Sequence, residues 1–408
     1  MTVEPVTPRG EDLAHPRSLW SREFLLLLGA TFLAYANISV FFHFYQYLHT
    51  LPIDPRWFGL LISIFSAVPL ILRPVMSSLF HSGNADRYLL MGTLLLVLSL
   101  FSYSLASGFW GMFIVRALHG LAFAILGTAL MTITVAFIPK EKSAQVFGLL
   151  SLLTLIPNTM IPPVLPFLTQ GLGGFTHVLM LFAGITILVF PLVWGTGRAG
   201  IALESALPSK RLGRKDILED LKNVVILSIL AAMLLLYSGC ALVFFFLDSY
   251  GRSIGIEGTG FFLTLSTIAE IGVRLVAGSF FDRFNKIRLA TWTMAGLAIS
   301  YVCLAHVPGR ATFFALGVFL GLGWGVAMPV FSGLMFDISE AKFRAFNINL
   351  TMQMFQGGFF LGPFLGAPVV THWGFTTLFY MSAVFSALSA GLIFHLGGKM
   401  KSHGELKT

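Results

Sequence analysis

Glu270 is the carboxylate set deepest in the apolar runs of this chain, and Arg274 follows it by four residues, one helical turn later. About 18 Å of helix, at ~1.5 Å per residue, separates Glu270 from Asp282 at the next charged loop. That depth is close to the middle of a membrane, where an ionisable residue is costly and marks a functional site by default. Desolvation favours the neutral acid, which makes Glu270 the natural proton carrier. Pairing with Arg274 for packing alone is the alternative. Arg116, with His119 three residues on, can bind an anionic substrate or tune a proton site. Arg73 and Arg274 each precede a loop by eight residues and can snorkel toward it, which suits gating or structure better than substrate binding.

Uncharged groups add a second layer. Asn349, Gln353 and Gln356 recur at spacings of four and three, so they share one helical face. Such a stripe lines a cavity or bonds to a neighbouring helix. Asn37, Tyr237 and Ser238 are cavity candidates, and Trp324 either stacks on a ligand or fills a gap. His43 and Gln46 lie nearer a surface, where a vestibule or a binding role is open to them. The 41 Phe residues are mostly membrane packing, although an aromatic, weakly polar cavity suits an amphipathic solute. No phosphate-cradling loop, zinc-spaced cluster or nucleophile turn is present in the sequence, so no cofactor, metal or enzymatic activity is expected. Cys240 and Cys303 sit in apolar runs as small hydrophobes.

The elements that must position these groups are apolar stretches of about 20 residues, the length that crosses a hydrocarbon core. Twelve are expected, near 24–48, 58–80, 87–106, 109–137, 143–169, 176–196, 222–247, 258–281, 288–307, 311–336, 344–370 and 375–397. With 56% hydrophobic and 11% charged residues the chain reads as an all-α integral membrane protein. Its positive charges fall into alternate gaps. Only Arg56, Arg252 and Arg310 lie on the other side and Arg73, Arg116 and Arg274 within spans, which places both termini in the cytoplasm. The net charge of +8 is thus a topology signal facing an anionic leaflet and needs no nucleic-acid partner. The expected organisation is a tail over 1–23, a six-helix bundle over 24–196, a basic linker over 197–221, a second bundle over 222–397 and a tail over 398–408.

Sliding the chain on itself by 201 residues pairs Arg73 with Arg274, Ser78 with Ser279, Asn84 with Asn285 and Arg87 with Arg288. The same offset pairs Gly59 with Gly260, Gly120 with Gly321 and Pro162 with Pro363. The two bundles therefore read as copies of one template, as two bodies rocking about a shared site require. Pro162 and Pro363 are expected bend points. At Asn349, Gln353 and Gln356 the first-half counterparts are Gly148, Leu152 and Leu155, so the polar side of the cavity is expected to come from the second half.

"GSFFDRFNKIR", from Gly278 to Arg288, resembles the cytoplasmic loop motif of the major facilitator superfamily, with Asp282, Arg283 and the basic cluster in place. Asn285 replaces the usual glycine, and Asn tolerates left-handed backbone. In the first half Ser77 and His81 replace the glycine and aspartate, so a latch built on Arg73 and His81 is weaker than one built on Arg274, Gly278, Asp282, Arg283 and Arg288. "RALHGLAFA", from Arg116, resembles the family's fourth-helix motif, whose Arg is associated with proton coupling. "GGFFLGPFLG", from Gly357, resembles the exporters' Gly-Pro motif, which they carry on helix five rather than eleven.

The resemblance implies the twelve-helix fold and a monomeric secondary transporter in the cytoplasmic membrane, moving a small molecule together with protons by alternating access. Its drug and sugar-efflux-like branch implies export of an amphipathic compound. Uptake of an organic anion held by Arg116 is the alternative. A receptor or scaffold with a transporter's shape would have lost the polar cavity, against which Glu270, Arg116 and the carboxamide stripe argue.

Overall fold

A computed structural model describes residues 21–79, 84–136, 143–195, 222–281, 284–340 and 343–402 of the 408. The linker, both tails, His81, Asp282 and Arg283 lie outside the described residues or at their margins, and the loop latch with them. Every regular element described is helical: α1 Arg22–Val40, α2 Phe44–Leu48, α3 Phe58–Leu79, α4 Ala85–Ser102, α5 Phe109–Ala136, α6 Ser143–Leu172, α7 Phe175–Ile187, α8 Val189–Gly195, α9 Val224–Ser253, α10 Gly260–Phe281, α11 Lys286–Ala305, α12 Arg310–Ile338 and α13 Arg344–Ser402. A 3-10 turn at Phe41–His43 joins α1 to α2. Nine stretches among the described residues are long and apolar enough to cross a membrane.

Helix ends follow local chemistry. Ser21 caps α1 by accepting from the Phe24 amide, and Asn223 caps α9 by accepting from Val225. Asn285 is also an N-cap, in extended backbone at φ −63°, where its side chain accepts from the Arg288 amide. The left-handed conformation expected there is absent because the residue opens a helix. Gly374, at φ +79°, breaks α13 where spans eleven and twelve were expected to part.

Within the first half α3 packs on α5, α4 on α5 and α7, and α1 on α6 and α8. In the second half α13 packs on α9 and α11, and α12 on α10 and α11. The halves meet where α3 touches α13 and α6 touches α10. Both seams are built from the same 201-offset template. A Cβ on Gly59 would stand 2.7 Å from the Pro363 carbonyl, and Ser63 Oγ donates to the Phe360 carbonyl at 2.7 Å. At the other seam a Cβ on Gly260 would stand 2.5 Å from the Pro162 carbonyl, and Thr264 Oγ1 donates to the Thr159 carbonyl at 2.7 Å. In lipid, where apolar surface gains little by pairing, small residues let backbones approach and hydroxyls join them. Large apolar side chains such as Trp110, Phe167 and Trp194 remain exposed on the outside, as a lipid-facing surface requires.

Candidate functional site

A cavity of about 830 Å³ lies between the two halves. Its wall repeats the template while varying the chemistry. Positions 201 apart bring Arg73 and Arg274, Ser66 and Thr267, Leu155 and Gln356, and Phe123 and Trp324 to the same space. Polar groups come from both halves, since Tyr35, Ser39, Arg73 and Asn158 line it beside Glu270 and Gln356. The expected bias toward the second half is thereby corrected. It was drawn from the carboxamide stripe and Glu270, whereas α1, α3 and α6 supply hydroxyls, a guanidinium and a carboxamide.

On α10, Glu270 and Arg274 face the cavity one turn apart and form an ion pair through Arg274 Nη2 and Glu270 Oε1. Helix α12 fixes that pair in place. A Cβ on Gly325 would stand 3.0 Å from the Glu270 backbone, and Gly321 abuts the Ser266 carbonyl one turn earlier. Arg274 Nη2 also lies 3.2 Å from Met328 Sδ. Among the described residues lining the cavity, Glu270 is the sole carboxylate, and its side chain is only 6% exposed. The two expectations for Glu270 therefore meet in one geometry: it is paired with Arg274, and the pair borders the cavity.

Arg116 borders the cavity, as expected, with its donors already engaged by the protein. Its Nε and Nη2 donate to the carbonyls of Leu61 and Ile62 at 3.0 and 2.6 Å, and Nη1 donates to Tyr103 Oη at 3.4 Å. Its guanidinium carbon sits 4.8, 4.6 and 4.9 Å from the rings of Phe41, Phe44 and Phe65. With 1% exposure and its donors engaged by two backbone carbonyls and Tyr103, Arg116 borders the cavity as a strut tying α5 to α3. Tyr103 passes the network on: its hydroxyl lies 3.1 Å from His119 Nδ1, and His119 Nε2 lies 3.0 Å from Asn37 Oδ1. A Tyr103 oxygen that accepts from Arg116 gives its proton to Nδ1, which leaves Nε2–H to donate to Asn37. Asn37 is thus a network residue and does not line the cavity.

Arg116→Ala is accordingly expected to lower stability by about 3 kcal/mol, because it strips two buried carbonyls of charged donors, with Lys restoring a minor part. Thermal unfolding of purified protein checks this. An unchanged unfolding temperature with lost affinity for an organic anion would return Arg116 to the role of receptor.

The remaining expectations divide. Tyr237, Trp324 and Gln356 line the cavity, with Trp324 Nε1 held by Tyr301 Oη at 3.1 Å. Ser238 faces a helix seam, donating to Leu234 at 2.7 Å while its backbone abuts Gly358 and Gly362. Asn349 is exposed and Gln353 half-buried, and neither lines the cavity, so the stripe contributes only Gln356. Gly278 lies within α10 and Arg288 is exposed in the first turn of α11. His43 is buried, and its Nε2 is 3.5 Å from Asp248 Oδ2 across the two halves. Asp248 itself escaped sequence reading because it was taken to follow the end of its span. It is 3% exposed inside α9, accepts from Thr259, and has Arg252 at 3.3 Å. The i, i+4 Asp-Arg spacing was the available signal.

The model of the Major Facilitator Superfamily matches residues 26–312 and 260–405. The multidrug resistance protein MdtG of Rahnella sp. (strain Y9602) is 26% identical over 398 residues, covering 91% of this chain and 92% of the relative. A probable sugar efflux transporter of Mannheimia succiniciproducens is 26% identical over 346 residues, covering 81% and 82%. Among solved structures, a bacterial homologue of the human lysosomal transporter Spinster, inward-facing and unoccupied, superposes with a TM-score of 0.77 at 12% identity over 94% of this chain and 98% of that one. The nucleoside transporter NupG superposes with a TM-score of 0.73 at 16% identity over 93% and 99%.

Proposed function

The chain belongs to the Major Facilitator Superfamily, and from that premise we propose that it exports a small amphipathic solute across the cytoplasmic membrane in exchange for protons, by alternating access. It is an integral membrane transporter and not an enzyme. The proposed frame is twelve spanning helices in two six-helix bundles, acting as a monomer with both termini in the cytoplasm. One observation carries the reading: the cavity lies between the two repeats and, among the described residues, holds a single carboxylate on its wall, paired to an arginine one turn away.

Each half of the cycle then has its parts. The Gly59·Pro363 and Gly260·Pro162 seams close one end, which the charge pattern makes the outer one, while the cavity wall continues toward Lys286 at the other. Phe65, Phe123, Phe244 and Phe359 offer apolar faces to a solute body. A proton arriving on Glu270 neutralises it and frees Arg274, so the charge inside the cavity changes as the halves rock. The names of the MdtG and sugar efflux relatives support the export direction.

The test uses inside-out vesicles with an acid lumen and a panel of fluorescent amphipathic dyes of both charge signs. Dye accumulation that collapses with a protonophore is the expected result. Movement indifferent to the pH gradient for every dye would overturn proton-driven export.

A further inference from the structure

We propose that the cargo carries an anionic group and that Arg73, with the Tyr35 hydroxyl beside it, is what reads that group. The inference rests on the transporter reading above and names its substrate class. Among the described residues, the cavity wall carries Glu270 as its one carboxylate against Arg73, Arg116, Arg274 and Lys286. Three of those four cations are accounted for. Arg274 pairs with Glu270, Lys286 Nζ donates to Asp337 Oδ2 at 2.8 Å, and Arg116 is sheathed in carbonyls and rings.

Arg73 has no carboxylate partner among the described residues. The repeat explains why: the position equivalent to Glu270 in the first half is Pro69, so the arginine was kept and its acid was not. Its guanidinium lies over the Phe123 ring at 5.1 Å, and its Nε is buried without an acceptor. A half-buried guanidinium without a carboxylate partner exerts a stronger field than one in open water, because less solvent screens it.

The template also sets a second donor beside Arg73. Arg274 meets the side chain of Met328, whereas the equivalent residue beside Arg73 is Gly127. A Cβ on Gly127 would stand 2.9 Å from Arg73 Nη2 and 3.1 Å from Tyr35 Oη. Two donors thus converge on one point of the wall, and Tyr35 packs edge-on against the same Phe123 at 5.3 Å. A guanidinium fork with an adjacent hydroxyl suits a carboxylate or sulfonate, and the ring beneath suits the apolar body attached to it.

The test measures binding of 1-naphthoate, 1-naphthamide and 1-naphthylmethylammonium to the full chain in nanodiscs, read as ligand-induced shifts in unfolding temperature. In wild type the carboxylate is expected to bind about tenfold tighter than the amide, the value of one charged hydrogen bond, with the ammonium weakest. Arg73→Gln is expected to erase that preference and Arg73→Lys to keep part of it. Gly127→Met, whose side chain would push Arg73 Nη2 and the Tyr35 hydroxyl out of their places, is expected to lower it with Arg73 still present. The proposal is overturned if the ammonium binds wild type as well as the carboxylate does, if no probe binds, or if the preference survives Arg73→Gln. Proton-driven export without any carboxylate preference would sink the anion site alone. The preference without proton-driven export would sink the transport reading and leave the site standing.

Discussion

Glu270→Gln should reduce uphill accumulation to the level of protein-free vesicles while substrate exchange across the same membrane continues within about tenfold of wild type, the cost of one charged hydrogen bond. Gln matches the protonated acid in shape and cannot release a proton, so the cavity is fixed in one charge state. Arg274 then loses its counter-charge, which can cost up to about 3 kcal/mol of stability in a buried pair. The double variant Glu270→Gln with Arg274→Gln separates the two roles of the pair. Coupling predicts a folded, stable double variant that still exchanges and still fails to accumulate. Recovery of both stability and accumulation in the double variant would show the pair to be structural.

The second large effect belongs to the seams. Gly59→Leu combined with Gly260→Leu should hold the end marked by Arg56 and Glu257 apart, because each new side chain runs into a backbone carbonyl that cannot move aside. Overpacking typically costs about 1–3 kcal/mol. Spent on only one of two states, that shifts their ratio by roughly 5- to 150-fold. Transport should fall correspondingly while the protein remains folded. Gly108→Leu with Gly309→Leu is the control, a pair 201 apart whose added Cβ atoms meet nothing within 4 Å. Equal transport loss in the control pair would remove the seams from the gating account.

Much of the frame was legible in the sequence because lipid forces a simple rule on it: apolar runs of spanning length, and small residues where backbones touch. The offset of 201 foretold more than homology. It named Gly59 with Gly260 and Pro162 with Pro363, and the structure sets each glycine against the other half's proline. Glu270 and Arg274 were legible from one-turn spacing. The partners of Arg116 were not legible, because a motif does not reveal whether donors are free to face a cavity or engage carbonyls 55 residues upstream. Asp248 was passed over and His43 read as near a surface, because a charge near a helix end looks exposed until a helix of the other half covers it. Arg73 was read as a snorkelling residue. Its lack of an acid is visible only when Pro69 is set against Glu270, and its close approach to Tyr35 only when Gly127 is set against Met328.

The most direct measurement is a pair of spin-label distances in nanodiscs, one between Cys substituted at Arg56 and Glu257, the other between Cys at Arg87 and Arg288, with Cys240 and Cys303 changed to Ala. All four positions are exposed, and each pair is 201 residues apart, so the two distances report the opposite ends of the repeat. Alternating access about the cavity predicts opposed changes as pH or ligand is varied: the Arg56–Glu257 distance lengthens in the same population in which Arg87–Arg288 shortens. Distances that stay fixed, or that lengthen together, would contradict the rocking of two repeats about Glu270 and Arg274.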